Sequence, residues 1–370
     1  MVTSSAGFSA PLHLSKSYKQ KNKITSIDSD PLGQRIAISC SSSPIMILTT
    51  DSRTVQLIAE GHGSASRVAG IAAFPGSDAV LTLTEDDCSL RLWDVSQRTI
   101  DNTPEEASAL LACKHLSHQP TAAVFLNASV LLVAIKNADT DGKSASILMV
   151  SVTRSLETAP KYKMNVFARV HNVGTGAIRS LNVSPHWKHL AACSEDGCVY
   201  MYRLNDVSSE NGELKNVPFE ASSESKESSS SSTSIGDAKA ETWLAYTGIL
   251  LAHPSGTPVA GLDFSDTGRY IRSFGDNHAG SNGRVEVDYF DMEQHSSAAT
   301  HAAAKVQDPE ALQQVRSVQW STVSSAAAPE VSAVSFAEGA RLLQVEHIAA
   351  SNDRSLVCAS FADGSVKLYR

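Results

Sequence analysis

The chain repeats one pattern of short apolar segments and turns, and this repeat limits the folds that it can adopt. One copy runs from Gly61-His62 to Ser89-Leu90-Arg91-Leu92-Trp93-Asp94, and a second returns between residues 177 and 204. In each copy, short alternating segments are separated by tight-turn residues, as in antiparallel strands. A unit of about 40–45 residues built in this way predicts one four-stranded blade of a β-propeller. A single blade cannot bury both of its faces, so several blades must close into a ring.

Six such units can be traced, and a seventh is left open. They cover about residues 24–58, 61–99, 112–156, 166–205, 243–293 and 342–370. Residues 294–309 are interpreted as an inter-strand loop, and Val315–Trp320 as a further strand. We therefore predict an all-β propeller over residues 23–370, preceded by an N-terminal arm at residues 1–22.

Two segments stand out from the repeat. Residues 207–241 are serine-rich, polar and acidic, so they are predicted to be a disordered insertion between the fourth and fifth units. The sixth unit has only three strands, which would leave an unpaired edge at Val366–Tyr369. We expect either Pro11–Ser15 or a separate chain carrying another propeller to cover that edge.

Composition excludes several classes of partner. The net charge is −8, from 39 acidic and 31 basic residues, so a nucleic-acid partner is not expected. No apolar run approaches the roughly 18 residues of a membrane helix, and the first twenty residues do not resemble a secretory signal. A cytoplasmic location is expected. The one basic cluster, at Lys16, Lys19, Lys21 and Lys23, is interpreted as a solvated arm or a docking element.

No catalytic, cofactor or metal motif is recognisable. A nucleophile elbow, a phosphate loop and an HExxH motif are all absent from the sequence, so no enzymatic activity is predicted. His115 and His118 are three residues apart without a third ligand nearby, which does not make a zinc site. The six cysteines form no CxxC pair and are interpreted as reduced structural thiols.

The Gly-His start and the Trp-Asp end of the second unit resemble a WD40 repeat. This resemblance implies a structural hydrogen-bond network of His62, Asp87 and Trp93. The strand serine or threonine that this network uses in WD40 repeats corresponds here to either Leu83 or Thr84.

From about Ile24 to Arg370, the chain resembles the C-terminal propeller of the EMAP-like (echinoderm microtubule-associated protein-like) family. The matching segments are collinear: residues 61–62, 70–75, 199–202, 262–265, 268–273, 289–291, 318–322 and 356–369. The resemblance implies a non-catalytic scaffold on the cytoskeleton, in a cilium or flagellum among other places, with tubulin or axonemal proteins as partners. The alternative is a general WD40 adaptor for complex assembly, or a ubiquitin-ligase substrate receptor. The ligase version is mildly disfavoured because Val95-Ser96 follows Trp93-Asp94 where many such receptors carry an arginine.

Overall fold

Short antiparallel strands make up most of the part of the chain that the computed structural model describes. The described residues are 14–19, 24–29, 35–40, 45–49, 55–58, 68–73, 79–84, 86–94, 110–137, 144–154, 162–171, 173–184, 188–205, 243–253, 257–275, 286–293, 303–316, 318, 345–350, 357–361 and 365–369. The predicted insertion at residues 207–241 therefore lies outside them.

The strands form six four-stranded sheets, here called the first to sixth blades in chain order. One strand, β1 (Leu14–Lys19), precedes the first blade. The first blade contains β2 (Ile24–Ser29), β3 (Arg35–Cys40), β4 (Ile45–Thr49) and β5 (Val55–Ile58). The second contains β6 (Val68–Ala73), β7 (Ala79–Thr84), β8 (Ser89–Asp94) and β9 (Leu110–His115). The third contains β10 (Pro120–Asn127), β11 (Val130–Lys136), β12 (Ala145–Arg154) and β13 (Tyr162–Val170).

The remaining blades follow the same order. The fourth contains β14 (Ile178–Val183), β15 (His189–Ser194), β16 (Cys198–Leu204) and β17 (Leu244–Leu251). The fifth contains β18 (Val259–Phe264), β19 (Tyr270–Gly275), β20 (Glu286–Asp291) and β21 (Ala304–Lys305), followed by the helix α1 (Pro309–Arg316). The sixth contains β22 (Val345–Ala350), β23 (Val357–Phe361) and β24 (Ser365–Tyr369), with β1 as its fourth strand.

The sixth blade is completed from the other end of the chain. β1 runs antiparallel to β24, with Leu14 opposite Tyr369 and Lys19 opposite Ser365. The pairing strand therefore lies further along the chain than the predicted Pro11–Ser15, of which residues 11–13 lie outside the described residues. Because β1 hydrogen-bonds to β24, no second propeller chain is required at that edge.

Blades and sequence repeats are offset by one strand, which corrects several predicted boundaries. β9, β13 and β17 each lie at the outer edge of one blade, although the sequence units assigned them to the next. The outermost strand comes last in a blade and leads directly into the next one. Its apolar pattern therefore reads as the start of the following repeat.

The hydrophobic core lies between neighbouring blades. The inner strands β22, β2, β6, β10, β14 and β18 contact one another in that order. Aliphatic side chains fill the junctions; Leu132, Ile147, Ile178 and Leu190 pack together between the third and fourth blades. The predicted all-β propeller is confirmed, and the described residues form six of its blades.

The predicted strand Val315–Trp320 is wrong at its first two residues, which are helical; residues 317, 319 and 320 lie outside the described residues. Val315 and Arg316 belong to α1, which begins after Asp308: its carboxylate accepts a hydrogen bond from the Ala311 amide at 3.0 Å, as in an N-cap. Proline at the first helical position is the start signal that the alternating pattern of residues 315–320 obscured. Buried Val315 packs against Tyr289 of the fifth blade. The predicted loop at residues 294–309 also contains a short strand, β21.

Candidate interaction surface

The turn between β7 and β8 holds the first polar cluster. The Asp87 carboxylate accepts hydrogen bonds from the Thr84 hydroxyl, the Arg91 guanidinium and the Ser89 amide, the last at 3.2 Å. Burial by itself would raise the pKa of Asp87, but hydrogen bonds from Thr84 and Ser89 and the Arg91 charge outweigh burial and lower the pKa to about 2. Cys88 follows with φ of 50°, in the left-handed region that favours glycine.

Trp93 makes a separate contact deeper in the same blade. Its indole Nε1 donates to Thr82 Oγ1 at 3.0 Å, and Thr82 is fully buried. The acceptor is therefore Thr82 and not Leu83 or Thr84, since the hydroxyl lies across the sheet from the ring. Thr82 Oγ1 donates in turn to the Arg91 carbonyl oxygen at 3.4 Å, and the Arg91 guanidinium donates to Asp87, so Arg91 links Trp93 to the Asp87 cluster. His62 lies outside the described residues, so its part in the implied network stays a prediction.

The fourth blade has a comparable cluster in the equivalent turn. Asp196 Oδ2 accepts hydrogen bonds from the Thr175 amide at 3.0 Å and from the Tyr200 hydroxyl at 2.7 Å. These and other hydrogen bonds lower the pKa of Asp196, although burial opposes that shift. Gly174, with φ of +80°, lies so close to Tyr200 that an added Cβ would come within 2.5 Å of the ring. The loop entering the blade is thus fixed against the turn.

The third blade fixes its turn with an amide and an arginine. Asn137 Nδ2 donates to Ser144 Oγ at 3.0 Å, and Asn137 Oδ1 accepts from Arg169 Nη2 at 2.6 Å and from Ser146 Oγ at 3.1 Å. The cluster ties the outermost strand β13 to the two central strands of the blade. The sequence did not single it out, because these residue types are common on strand surfaces.

A serine and an aspartate of the fifth blade, with a histidine from the segment that precedes it, contact one another as the members of a hydrolytic triad do. Ser273 Oγ lies 3.2 Å from His253 Nε2, and His253 Nδ1 lies 3.7 Å from Asp288 Oδ2, which Lys305 Nζ approaches at 2.7 Å. Ser273 is fully buried, so a substrate cannot reach its hydroxyl. The position of Ser273 explains its role: it is the fourth residue of β19, as Thr82 is of β7. Both hydroxyls fix a blade from inside.

The remaining candidate ligands do not converge. His115 Nδ1 lies 3.4 Å from the Asp87 carbonyl oxygen on the exposed edge of the second blade, and His118 is partly buried. Within the described ranges, no group of three His, Cys, Asp or Glu side chains is placed to hold a metal ion. Burial raises the pKa of the Cys193 thiol to about 12, and burial together with Asp196 raises that of Cys198 to about 11. Both thiols therefore stay protonated at neutral pH.

Exposed apolar side chains lie on the outermost strands of three successive blades. They are Leu110 on β9, Val166 on β13, and Tyr246 and Leu251 on β17. Large apolar side chains at such positions are candidates for protein contacts. None of the described helices is long and apolar enough to cross a membrane.

Comparison with known proteins supports the fold alone. No family model matches the chain, and no curated protein matches it. Among solved structures, the chain is similar to the β-propeller domain of Cps50 (Swd1) from Myceliophteria thermophila, with a TM-score of 0.51 and 12% identity over 93% of this chain and 82% of that one. The shared feature is the β-propeller fold.

Proposed function

We propose that the protein is a non-catalytic scaffold that binds other proteins through the outer surface of its propeller. The observation that carries the proposal is that the only serine placed like a catalytic nucleophile among the described residues is buried, whereas large apolar side chains are exposed. The polar clusters fix strands and turns within the blades, and the hydroxyl of the triad-like group in the fifth blade is inaccessible. The exposed apolar residues instead lie on outer strands, where a partner can reach them.

The partner that we propose is the cytoskeleton, with tubulin or axonemal proteins as the first candidates. Its support is the collinear resemblance of residues 24–370 to the C-terminal propeller of EMAP-like proteins. The corresponding location is the cytoplasm, on microtubules or in a cilium or flagellum. The chain has a net charge of −8, so attraction to an acidic filament would have to be local. The N-terminal lysines, including Lys21 and Lys23, are the basic cluster available for such a contact.

Co-sedimentation with taxol-stabilised microtubules tests this partner. The full chain should pellet in a saturable way at low ionic strength, and pelleting should weaken as salt is added. A variant with Lys21→Glu and Lys23→Glu should pellet less, whereas Lys136→Glu, an exposed lysine on the third blade, should behave like wild type. Equal pelleting of all three chains would exclude the N-terminal contact.

The second candidate is a general WD40 adaptor for complex assembly. The acidic net charge favours it, because electrostatic attraction to an acidic filament is unfavourable overall. Failure of the wild-type chain to pellet at low salt would favour the adaptor. Affinity capture from cell extract, compared between wild type and the Leu110→Ser variant, would then ask whether exposed outer-strand residues contact partners. Loss of specific partners from the variant supports the scaffold, and an unchanged partner list argues against these surfaces.

A further inference from the structure

The outermost strand of the fourth blade lacks the features that usually protect an exposed strand edge. β17 has the sequence LAYTGILL, with no charged residue and no proline, over eight residues. Other long outer strands carry lysine or arginine: Lys16 and Lys19 on β1, Lys114 on β9, and Lys163 and Arg169 on β13. The outer strands β5 and β21 have only four and two residues. Unprotected edges of this kind are suited to pairing with another strand.

The outer edge of β17 is open among the described residues. The strand hydrogen-bonds only to β16 and ends the order of its sheet. A bulge interrupts the pairing: Met201 lies opposite Gly248 and Tyr202 opposite Tyr246, so Thr247 is the extra residue. Such a bulge shifts the side chains that follow it onto the opposite face.

This bulge places the two most exposed apolar side chains on one face. Tyr246 lies opposite Tyr202 and Leu251 opposite Cys198, and these β16 residues are four apart, so they share a face of the sheet. Tyr246 is 55% exposed and Leu251 58% exposed. The ring of Tyr246 packs edge-on against Tyr202 at 5.6 Å, which fixes its direction. The edge therefore presents two large apolar groups separated by a short uncharged segment.

We propose that two copies of this chain associate by antiparallel pairing of their β17 strands about a two-fold axis at Ile249. The bulged residues Tyr246 and Thr247 together occupy one position along the outer edge. Tyr246 of one copy then lies opposite Leu251 of the other, and Gly248 lies opposite Leu250. The pairing joins two four-stranded blades into one eight-stranded sheet. Each symmetric contact occurs twice, as in an isologous dimer.

The spacing on the edge is what favours a second copy over an unrelated strand. Read in either direction from Ile249, the edge presents a large exposed group at the same distance, so it is complementary to itself. Aromatic–aliphatic pairs across antiparallel strands are favourable, and no like charges meet. A shift of the pairing register by one residue would place Tyr246 of one copy and Leu251 of the other on opposite faces of the joined sheet. The register is therefore well specified.

The charge of the chain gives this interface an unusual salt dependence. Each copy carries −8, so two copies repel at low ionic strength. Because β17 itself is uncharged, added salt screens the repulsion without weakening the contact. Self-association should therefore strengthen with salt.

Sedimentation velocity of the full-length chain over a concentration series tests the proposal through its register. The Y246K/L251K variant places lysine opposite lysine at both ends, whereas Y246E/L251K places glutamate opposite lysine. We expect the first variant to weaken the dimer about tenfold to thirtyfold, since two cross-strand pairs turn from favourable to repulsive. The second should stay within a few-fold of wild type. V166K, which places a lysine at an exposed apolar position of the outer strand of the third blade, serves as the control and should associate like wild type.

Circular dichroism and thermal melting of every variant show that the chain remains folded. The proposal is overturned if the wild-type chain stays monomeric at every concentration. This result is also expected if β17 pairs with a strand of another protein instead of a second copy. Equal loss of association in Y246K/L251K and Y246E/L251K overturns the register. Weakening by V166K equal to that of Y246K/L251K would place the contact elsewhere.

Discussion

Removing one partner of the ion pair buried in the fifth blade should destabilise the propeller more than removing both. Asp263 on β18 lies opposite Arg272 on β19, and both side chains are fully buried. Arg272 Nε and Nη2 approach Asp263 Oδ2 at 2.9 and 2.8 Å, and the guanidinium lies 5.2 Å from the Phe274 ring centre. The charges have no access to water, so each depends on the other.

The magnitude follows from desolvation. Arg272→Met leaves the Asp263 carboxylate buried without its cation, which costs about 3–5 kcal/mol. Unfolding of 370 residues has an entropy of roughly 0.8 kcal/mol/K, so a loss of about 4 kcal/mol lowers the melting temperature by about 5 °C. Replacing both residues, with Asp263→Leu and Arg272→Met, removes both buried charges. The double variant should melt within about 2 °C of wild type.

Calorimetric melting of wild type, Arg272→Met, Asp263→Leu and the double variant gives the coupling free energy between the two positions. The chain also provides a matched control, the ion pair of Arg179 with Glu195 at 3.4 Å, whose side chains are exposed. Arg179→Met should change stability by less than about 1 kcal/mol. If Arg272→Met costs no more than Arg179→Met, or if the double variant loses the sum of both single losses, the desolvation argument is wrong.

Three further predictions concern closure of the ring and the turns. Deleting residues 1–22 removes β1 and uncovers β24, including buried Val366, so the melting temperature should fall by several degrees and light scattering should rise; an unchanged melting curve would make the arm dispensable. Because the pKa of Asp87 is lowered, its stabilising effect is present above the unfolded pKa and is lost as pH falls through about 2; Asp87→Asn should therefore flatten the acid limb of a stability–pH curve, and an identical limb would contradict this. Gly197 has φ of 87°, so Gly197→Ala should cost about 1–2 kcal/mol in urea unfolding, whereas Cys88→Gly in the equivalent turn should be neutral or stabilising.

The central strands of the blades could be predicted from the sequence more closely than the outer ones. The bounds of β8 coincide with the predicted segment Ser89–Asp94, because the apolar pattern is strong where a strand has a neighbour on both sides and ends at a turn. Outer strands such as β13 and β17 have one neighbour in the sheet and weaker constraints on composition. Their assignment to a blade depends on pairing over long distances, which the sequence pattern does not contain.

The polar clusters were only partly predictable for a different reason. Asp87 and Trp93 could be singled out because the second blade keeps the repeat motif. Asn137 and His253 perform a related task in blades that have lost it, with different residue types. A hydrogen bond requires only a donor and an acceptor at the right distance, so blades can diverge while each turn remains fixed. The sequence could have revealed the positions that repeat: the fourth residue of β7, β19 and β23 and the sixth residue of β7 and β15 all carry a hydroxyl.

This divergence also indicates where specificity can reside. The second to fifth blades each fix strands or turns with their own polar cluster, so substitutions there change stability before they change recognition. The outer strands contribute less to the core, and their side chains can vary at smaller cost. On β17 the side chains of Tyr246 and Leu251 are exposed, and the strand carries no charge. A strand under selection only against aggregation would be expected to carry one, as β9 and β13 do. Its uncharged edge is therefore better explained by a partner strand than by the needs of the fold.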